Sequence, residues 1–343
     1  MSAIGPRRTA APVNMPDGFE PPYDAFEPRF KRLNDLVLVI FGIENRGGSV
    51  DGLRTALLAE LSHDDGPAVL EHAEVVEGFG PRSHIWFAYW KTQDEYERWC
   101  QNSKIEKLFE DPAYLEGPLG FWREYCRISL DHNETSFSRE EDLTGLVNFS
   151  DALEVTAIHA YWGSMRDRIV AAADDDLPAE TVRKTILPKD TLGKRIQIQA
   201  PKNVCLIKTT QDFSRINQAQ QDIYTNNVEP ALYAGLRYLR DNGEETGCIG
   251  MRFVEEKTAS GEAGHRTVGI GYFASMGDLE EWTHNSDTHN AIMAQFMGMV
   301  AQFQGNPGLN LWHEVTVFPS GWLTGDYVNC SPDGSLMQCD RIV

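Results

Sequence analysis

Two stretches of this chain repeat at a fixed distance, and that repeat restricts the possible folds more than any other feature. "YWKTQDEYERW" at 89–99 lies over "YFASMGDLEEW" at 272–282 without a gap, at an offset of 183. The match runs on through "WCQNSKIE" (99–106) and "WTHNSDTH" (282–289), where Trp, Asn and Ser keep their spacing and Glu106 gives way to His289. A second anchor, "FWREY" (121–125) over "LWHEV" (311–315), stands at offset 190 and replaces Arg123 by His313. The seven extra residues of copy two fit a longer helix and the loop "QGNPG". A chain of 343 residues is too long for one small core, and a duplicated unit accounts for its length.

Hydrophobic periodicity gives each copy its elements. "DLVLVIFGIE" (35–44), "SHIWFAYW" (83–90) and "GFWREYCRISL" (120–130) read as strands, being short, apolar and rich in β-branched and aromatic residues. Helices are predicted over 51–64 and 92–111, the latter opening on Thr92 with Glu95 three residues on, a capping-box pattern. The order β-α-β-α-β resembles most of a ferredoxin-like unit. Strands at 202–210, 248–256, 266–275 and 309–318 and helices at 214–243 and 276–303 repeat that order. The fold class expected is α+β, with two ferredoxin-like halves forming a pseudo-symmetric dimeric-type α+β barrel. Residues 1–30 are predicted to be an N-terminal arm, 31–150 the first half, 151–200 a connecting segment and 201–343 the second half.

Charge narrows the partners. A formal net charge of −20 disfavours nucleic acid and anionic membrane surfaces, both polyanions. No apolar run reaches the roughly 18–20 residues that span a bilayer, and the N-terminus lacks a signal-peptide apolar stretch. Six scattered cysteines with no C-x-x-C pair fit free thiols in a reducing cytoplasm.

His289 and His313 stand where the repeat breaks, on a helix and on the strand it feeds, so they can flank one cavity. The pattern H-E-x-x-H is absent and no third ligand stands near them, which argues against zinc. One histidine with an open opposite face suits haem iron better, and "MAQFMGMVAQF" after His289 offers either plain core or an apolar wall for a porphyrin. In "HAYWGSMRDRIV" (159–170) two arginines flank Asp167; two residues apart, Arg166 and Arg168 point different ways, one free to pair with surface acid while the other turns inward. "GSVDG" (48–52) matches the short G-x-x-D-G signature of the dye-decolorizing peroxidases, and also an ordinary turn before a helix.

At "YWGSMRDR" the chain resembles the haem-containing aldoxime dehydratases, the phenylacetaldoxime dehydratase family. The likeness continues in order through "IKTTQDF" (207–213), "YLRDNG" (238–243), "EEWTHNSDTH" (280–289), "LWHEV" (311–315) and "DYVNC" (326–330). The resemblance implies a lyase that dehydrates aldoximes to nitriles, with the oxime nitrogen bound to ferrous haem b. It implies His289 as the axial ligand, His313 as the distal acid, Arg168 on the substrate side and Glu134 as a supporting acid. The family's active-site serine falls on Thr209, a departure that keeps the hydroxyl and adds a methyl. Family members are usually homodimers. The alternatives are a haem peroxidase or chlorite-dismutase-like enzyme on the same barrel, supported by "GSVDG" alone, and a haem-binding module without turnover.

Overall fold

The protein, seen as a computed structural model, is described over residues 8–141, 143–180, 190–304 and 308–339. Parts of the expected arm (1–7) and of the "QGNPG" loop (305–307) lie outside the described residues.

The first half runs β1 (Ala25–Arg29), β2 (Asp35–Asn45), α1 (Asp51–Leu61), β3 (Val69–Val75), β4 (Ser83–Trp90), α2 (Gln93–Asn102), α3 (Ile105–Glu110), β5 (Leu119–Ser129) and β6 (Asn133–Phe137). A connecting stretch holds β7 (Ala152–Thr156), α4 (Ser164–Arg168) and β8 (Arg195–Gln199). Then come β9 (Cys205–Asp212), α5 (Gln218–Ile223), α6 (Glu229–Asp241), α7 (Gly243–Thr246), β10 (Cys248–Lys257) and β11 (Ala263–Phe273). The chain closes with α8 (Met276–Asn285), α9 (Asp287–Gln302), β12 (Asn310–Val317) and β13 (Leu323–Val328). No helix among the described residues is long and apolar enough to cross a membrane.

Three expectations are corrected. The first copy contains a strand, β3, beyond the expected β-α-β-α-β: its residues "VLEHAEV" are mostly half-buried and polar on both faces, so no hydrophobic alternation marks them. The predicted helices 92–111 and 276–303 are each two helices. Ser103 and Ser286, equivalent in the repeat, both adopt extended backbone, and Ser286 Oγ accepts the amide of Thr288 to start α9. The repeated W-x-x-N-S is therefore a helix break that places Glu106 and His289 in the first turn of the following helix. Finally, the thirteen strands form one antiparallel sheet whose ladder is open, from β7 at one end to β8 at the other. Closure into a barrel is not found, since β7 and β8 each pair on one side only.

Within that sheet the first half has the order β5-β2-β4-β3 and the second β12-β9-β11-β10, joined where β3 pairs β10. Leu38, Ile40, Phe87 and Trp122 of the first half share one core with Leu206, Ile270 and Trp312 of the second. Helices α1–α3 cover the other face of the first half, burying Leu53, Leu57, Trp99 and Phe109. Helices α6 and α8 do the same for the second with Leu232, Leu236 and Leu279. Between the halves, Tyr89 Oη donates to Glu314 at 3.0 Å and Tyr272 Oη donates to Glu124 at 2.8 Å. The tyrosines occupy equivalent repeat positions, and so do the glutamates; each copy supplies the other's partner.

Glu124 is fully buried and also accepts two hydrogen bonds of 2.9 Å from Arg252 and one of 2.6 Å from Tyr327. Glu124→Ala strands the buried guanidinium without a counter-charge and should cost about 3–5 kcal/mol in urea unfolding, whereas Glu124→Leu with Arg252→Met should restore most of that loss.

Candidate active site

Strand β12 lies between β6 and β9, and register places His313 opposite Ser136 on one side and Thr209 on the other. Thr209 in turn faces Gly269 of β11, where a Cβ would come within 3.0 Å of the Thr209 methyl. Alternation along a strand sends Trp312, Glu314, Lys208 and Thr210 into the buried interior. Leu311, His313, Ile207 and Thr209 go to the helix-facing side, where they are only half-buried. Helix α9 rests mainly on α6 and α8, with Phe296, Met299 and Val300 meeting Leu311, and α6 rests on β10. A row of partly open side chains thus crosses the middle of the sheet, where neighbours on both flanks would otherwise bury it.

Glu134, two residues from Ser136 and on the same face, ties the row to the connecting segment. Its Oε2 accepts from Arg168 Nε at 2.7 Å and its Oε1 stands 3.1 Å from His313 Nε2. Arg168 Nη2 closes the triangle, 3.2 Å from the same histidine nitrogen, and Nη1 donates to the carbonyl of Ile158. Burial acts to raise the Glu134 carboxyl, but Arg168 and then His313 hold it below its usual value. Burial likewise opposes the Arg168 charge, and Glu134 more than restores it. A buried pair charged on both sides survives because each member satisfies the other.

Three consecutive side chains in the short helix α4 go to three places. Arg166 Nη2 pairs with Glu280 of α8 at 2.7 Å, Arg168 turns inward, and Asp167 holds the arm. The fully buried Asp167 carboxylate accepts from the amides of Val13 (3.0 Å) and Asn14 (2.9 Å), from Asn14 Nδ2 (3.1 Å) and from Tyr161 Oη (2.9 Å). Arg8 Nη1 donates back to the carbonyls of Arg166 and Ile169. The sequence reading placed the two arginines and passed over the acid between them; an aspartate flanked by arginines, one of which has its partner elsewhere, was the available signal. His159, also unremarked, is buried beside Arg168 with its ring against Tyr23 (5.1 Å between centroids). Burial and the Arg168 charge both lower its pKa.

The repeat supplies an internal ruler for the two histidines. At the equivalent positions of copy one, Arg123 and Glu106 meet directly, with bonds of 2.6 and 2.9 Å that close helix α3 onto strand β5. No hydrogen bond, ion pair or ring contact joins His289 to His313. The His289 ring instead lies edge-on to Trp282 at 4.8 Å, and its Nδ1 is buried without a hydrogen bond of ordinary geometry. Burial lowers the pKa of this ring, and the nearby carbonyl of Thr283 only partly opposes that. The result is a neutral imidazole with an uncommitted nitrogen. "GSVDG" leads into α1, where Asp51 is exposed and bonded to Ser49.

Comparison with known proteins identifies a family. A family model described as haem-containing dehydratase matches residues 44–335. A phenylacetaldoxime dehydratase of Bacillus sp. (strain OxB-1) is 34% identical over 93% of this chain and 92% of its own length. An aliphatic aldoxime dehydratase of Rhodococcus erythropolis is 29% identical over 94% and 93%. A crystal structure of an aldoxime dehydratase in complex with butyraldoxime superposes with a TM-score of 0.88 at 29% identity, covering 100% of this chain and 97% of that one.

Substituting Asp167→Asn puts an amide group where four donors converge. It should cost about 2 kcal/mol and speed hydrogen exchange at the Val13 and Asn14 amides by at least roughly tenfold.

Proposed function

The chain belongs to the haem-containing dehydratase family, and on that premise we propose that it dehydrates aldoximes to nitriles with haem held by His289 and the leaving hydroxyl attended by His313, Arg168 and Thr209. The observation that carries the site assignment is the contrast between the copies. Where copy one closes on an ion pair, copy two has two histidines unbonded to each other, with half-buried Ile207 and Leu311 on the face of His313 and half-buried Ile292 on the helix of His289.

Those residues fit a haem. His289 has a buried nitrogen without a partner, in the first turn of a helix whose Met293 and Met297 are 42% and 38% exposed, apolar surface that a porphyrin could cover. A ferrous haem would supply electron density that weakens the N–O bond of an oxime.

The chain's own residues supply positions and protons. The reaction R–CH=N–OH → R–C≡N + H₂O needs one proton delivered to the departing oxygen and one removed from carbon, so a single acid–base group can serve both steps with no net consumption. His313 is placed for that exchange. His313 Nε2 stands 3.1 Å from Glu134 Oε1, an ion pair when the ring is charged, and 3.2 Å from Arg168 Nη2, from which it accepts when that nitrogen is unprotonated. Each protonation state thus has a ready partner, and the ring keeps its orientation through both. Thr209, in register with His313, places a hydroxyl beside the oxime oxygen. Among the described residues its Oγ1 is engaged only by Gln211 Nε2, at a long 3.5 Å, which leaves it available. Glu134 acts through Arg168 and His313 rather than on the substrate.

The shared strand order of residues 31–150 and 201–343 supports reading them as two ferredoxin-like halves, of which only the second bears haem. The anchored residues 8–14 support reading the N-terminal segment as an arm over the connecting stretch.

The dithionite-reduced protein should show a Soret band that shifts on adding phenylacetaldoxime, with nitrile detected by chromatography. His289→Ala should lose haem and activity together. His313→Ala should keep the Soret band and lose about 10²–10⁴ in turnover; near-normal nitrile formation by that variant would remove His313 from the acid role.

A further inference from the structure

On the outer face of the first half, away from the row just described, three ligand-bearing side chains converge. His72 and Glu74 lie two residues apart on β3 and so point the same way, while His84 of β4 stands directly opposite Glu74 in the ladder. His84 Nδ1 is 3.4 Å from His72 Nε2 and 3.1 Å from Glu74 Oε1, and all three ligand atoms lie within 4.8 Å of one another. From these residues we propose a second metal site, specific for a borderline-soft divalent ion such as Zn²⁺, formed by His72, Glu74 and His84 and independent of the haem.

The distances match the ion. With metal–ligand bonds of about 2.05 Å, the edge of a coordination tetrahedron is about 3.3 Å, which two of the three separations already approach. Two imidazoles and one carboxylate are a zinc-type donor set, and a three-residue site leaves a fourth position for water. All three residues are half-buried, so an ion can reach them without opening the core. An ion on His84 Nδ1 takes the place of the hydrogen shared with Glu74, and the neutral ring then carries its one proton on Nε2.

Two features set the terms of binding. The His72 and His84 rings are stacked, 16° apart in plane, and His72 also lies on Trp86 at 4.8 Å. A metal sits in the plane of each imidazole it binds, so the rings must turn out of this stack. Cations stand nearby: Lys257 Nζ is 3.8 Å from Glu74 Oε2, and Arg54, Arg82 and Lys257 all act on the His84 ring. Lys257 is held mainly by Glu255 at 2.6 Å and faces the carboxylate oxygen that the ion does not use.

The test is equilibrium dialysis of the haem-loaded protein against Zn²⁺, with zinc counted by elemental analysis. The expected result is one saturable equivalent per chain. His84→Asn and Glu74→Gln should each weaken it at least tenfold, while the Soret band and nitrile formation stay unchanged. Absence of a saturable equivalent in the parent protein, or unchanged affinity in the variants, would overturn the site. If His84→Asn does not fold, Glu74→Gln carries the same comparison at a partly exposed carboxylate. Neither result bears on the role of His289.

Discussion

A carboxylate enters a protein interior only where cations and hydroxyls meet it, and three of the buried glutamates, Glu124, Glu314 and Glu134, impose that requirement on the sheet. Glu124 is satisfied by Arg252, Tyr272 and Tyr327, and Glu314 by Tyr89 and the amide of Leu146. Glu134 accepts from Arg168 through Oε2 and faces His313 at 3.1 Å through Oε1. Isolated, each would cost several kcal/mol; partnered, each fixes the relative placement of the strands that supply its donors. The first two bind one half of the sheet to the other. The third binds the connecting segment to the second half, and it is the one whose partners are left partly open.

That difference follows from what the two copies do with the same positions. In copy one, an acid on the helix and a base on the strand neutralise each other, and the helix closes onto its sheet. Histidines at both positions cannot form that ion pair; in copy two Leu311 packs against Phe296, Met299 and Val300 of α9, and Leu311, His313, Ile207 and Thr209 are half-buried. The arm acts at a distance: Asp167 anchors it, and its neighbour Arg168 inherits a fixed position because α4, five residues long, has little stability of its own.

Much of this was legible in the chain. The repeat and the hydrophobic periods placed most strands, and the helix cap at Thr92 is formed as its pattern indicated, with Thr92 Oγ1 accepting the Glu95 amide at 3.2 Å. The divergent histidines and the arginine pair marked the candidate site before any coordinates did. β3 was not legible because its polar residues find partners on both faces, Lys208 for Glu71 inside and the histidine cluster outside. The breaks at Ser103 and Ser286 were missed because serine is tolerated within a helix, and only its backbone conformation reveals the end.

The sequence by itself determined the internal repeat, many of the elements and the chemistry of the side chains, because residue identity and its periodicity carry all three. Only the tertiary structure decided that the sheet stays open. It also decided that Asp167 holds the arm, and that Glu134, Arg168 and His313, separated by 34 and 145 residues, meet at one histidine nitrogen. Strand register and the burial of charge set those meetings, and both are properties of the packed chain rather than of any segment in it.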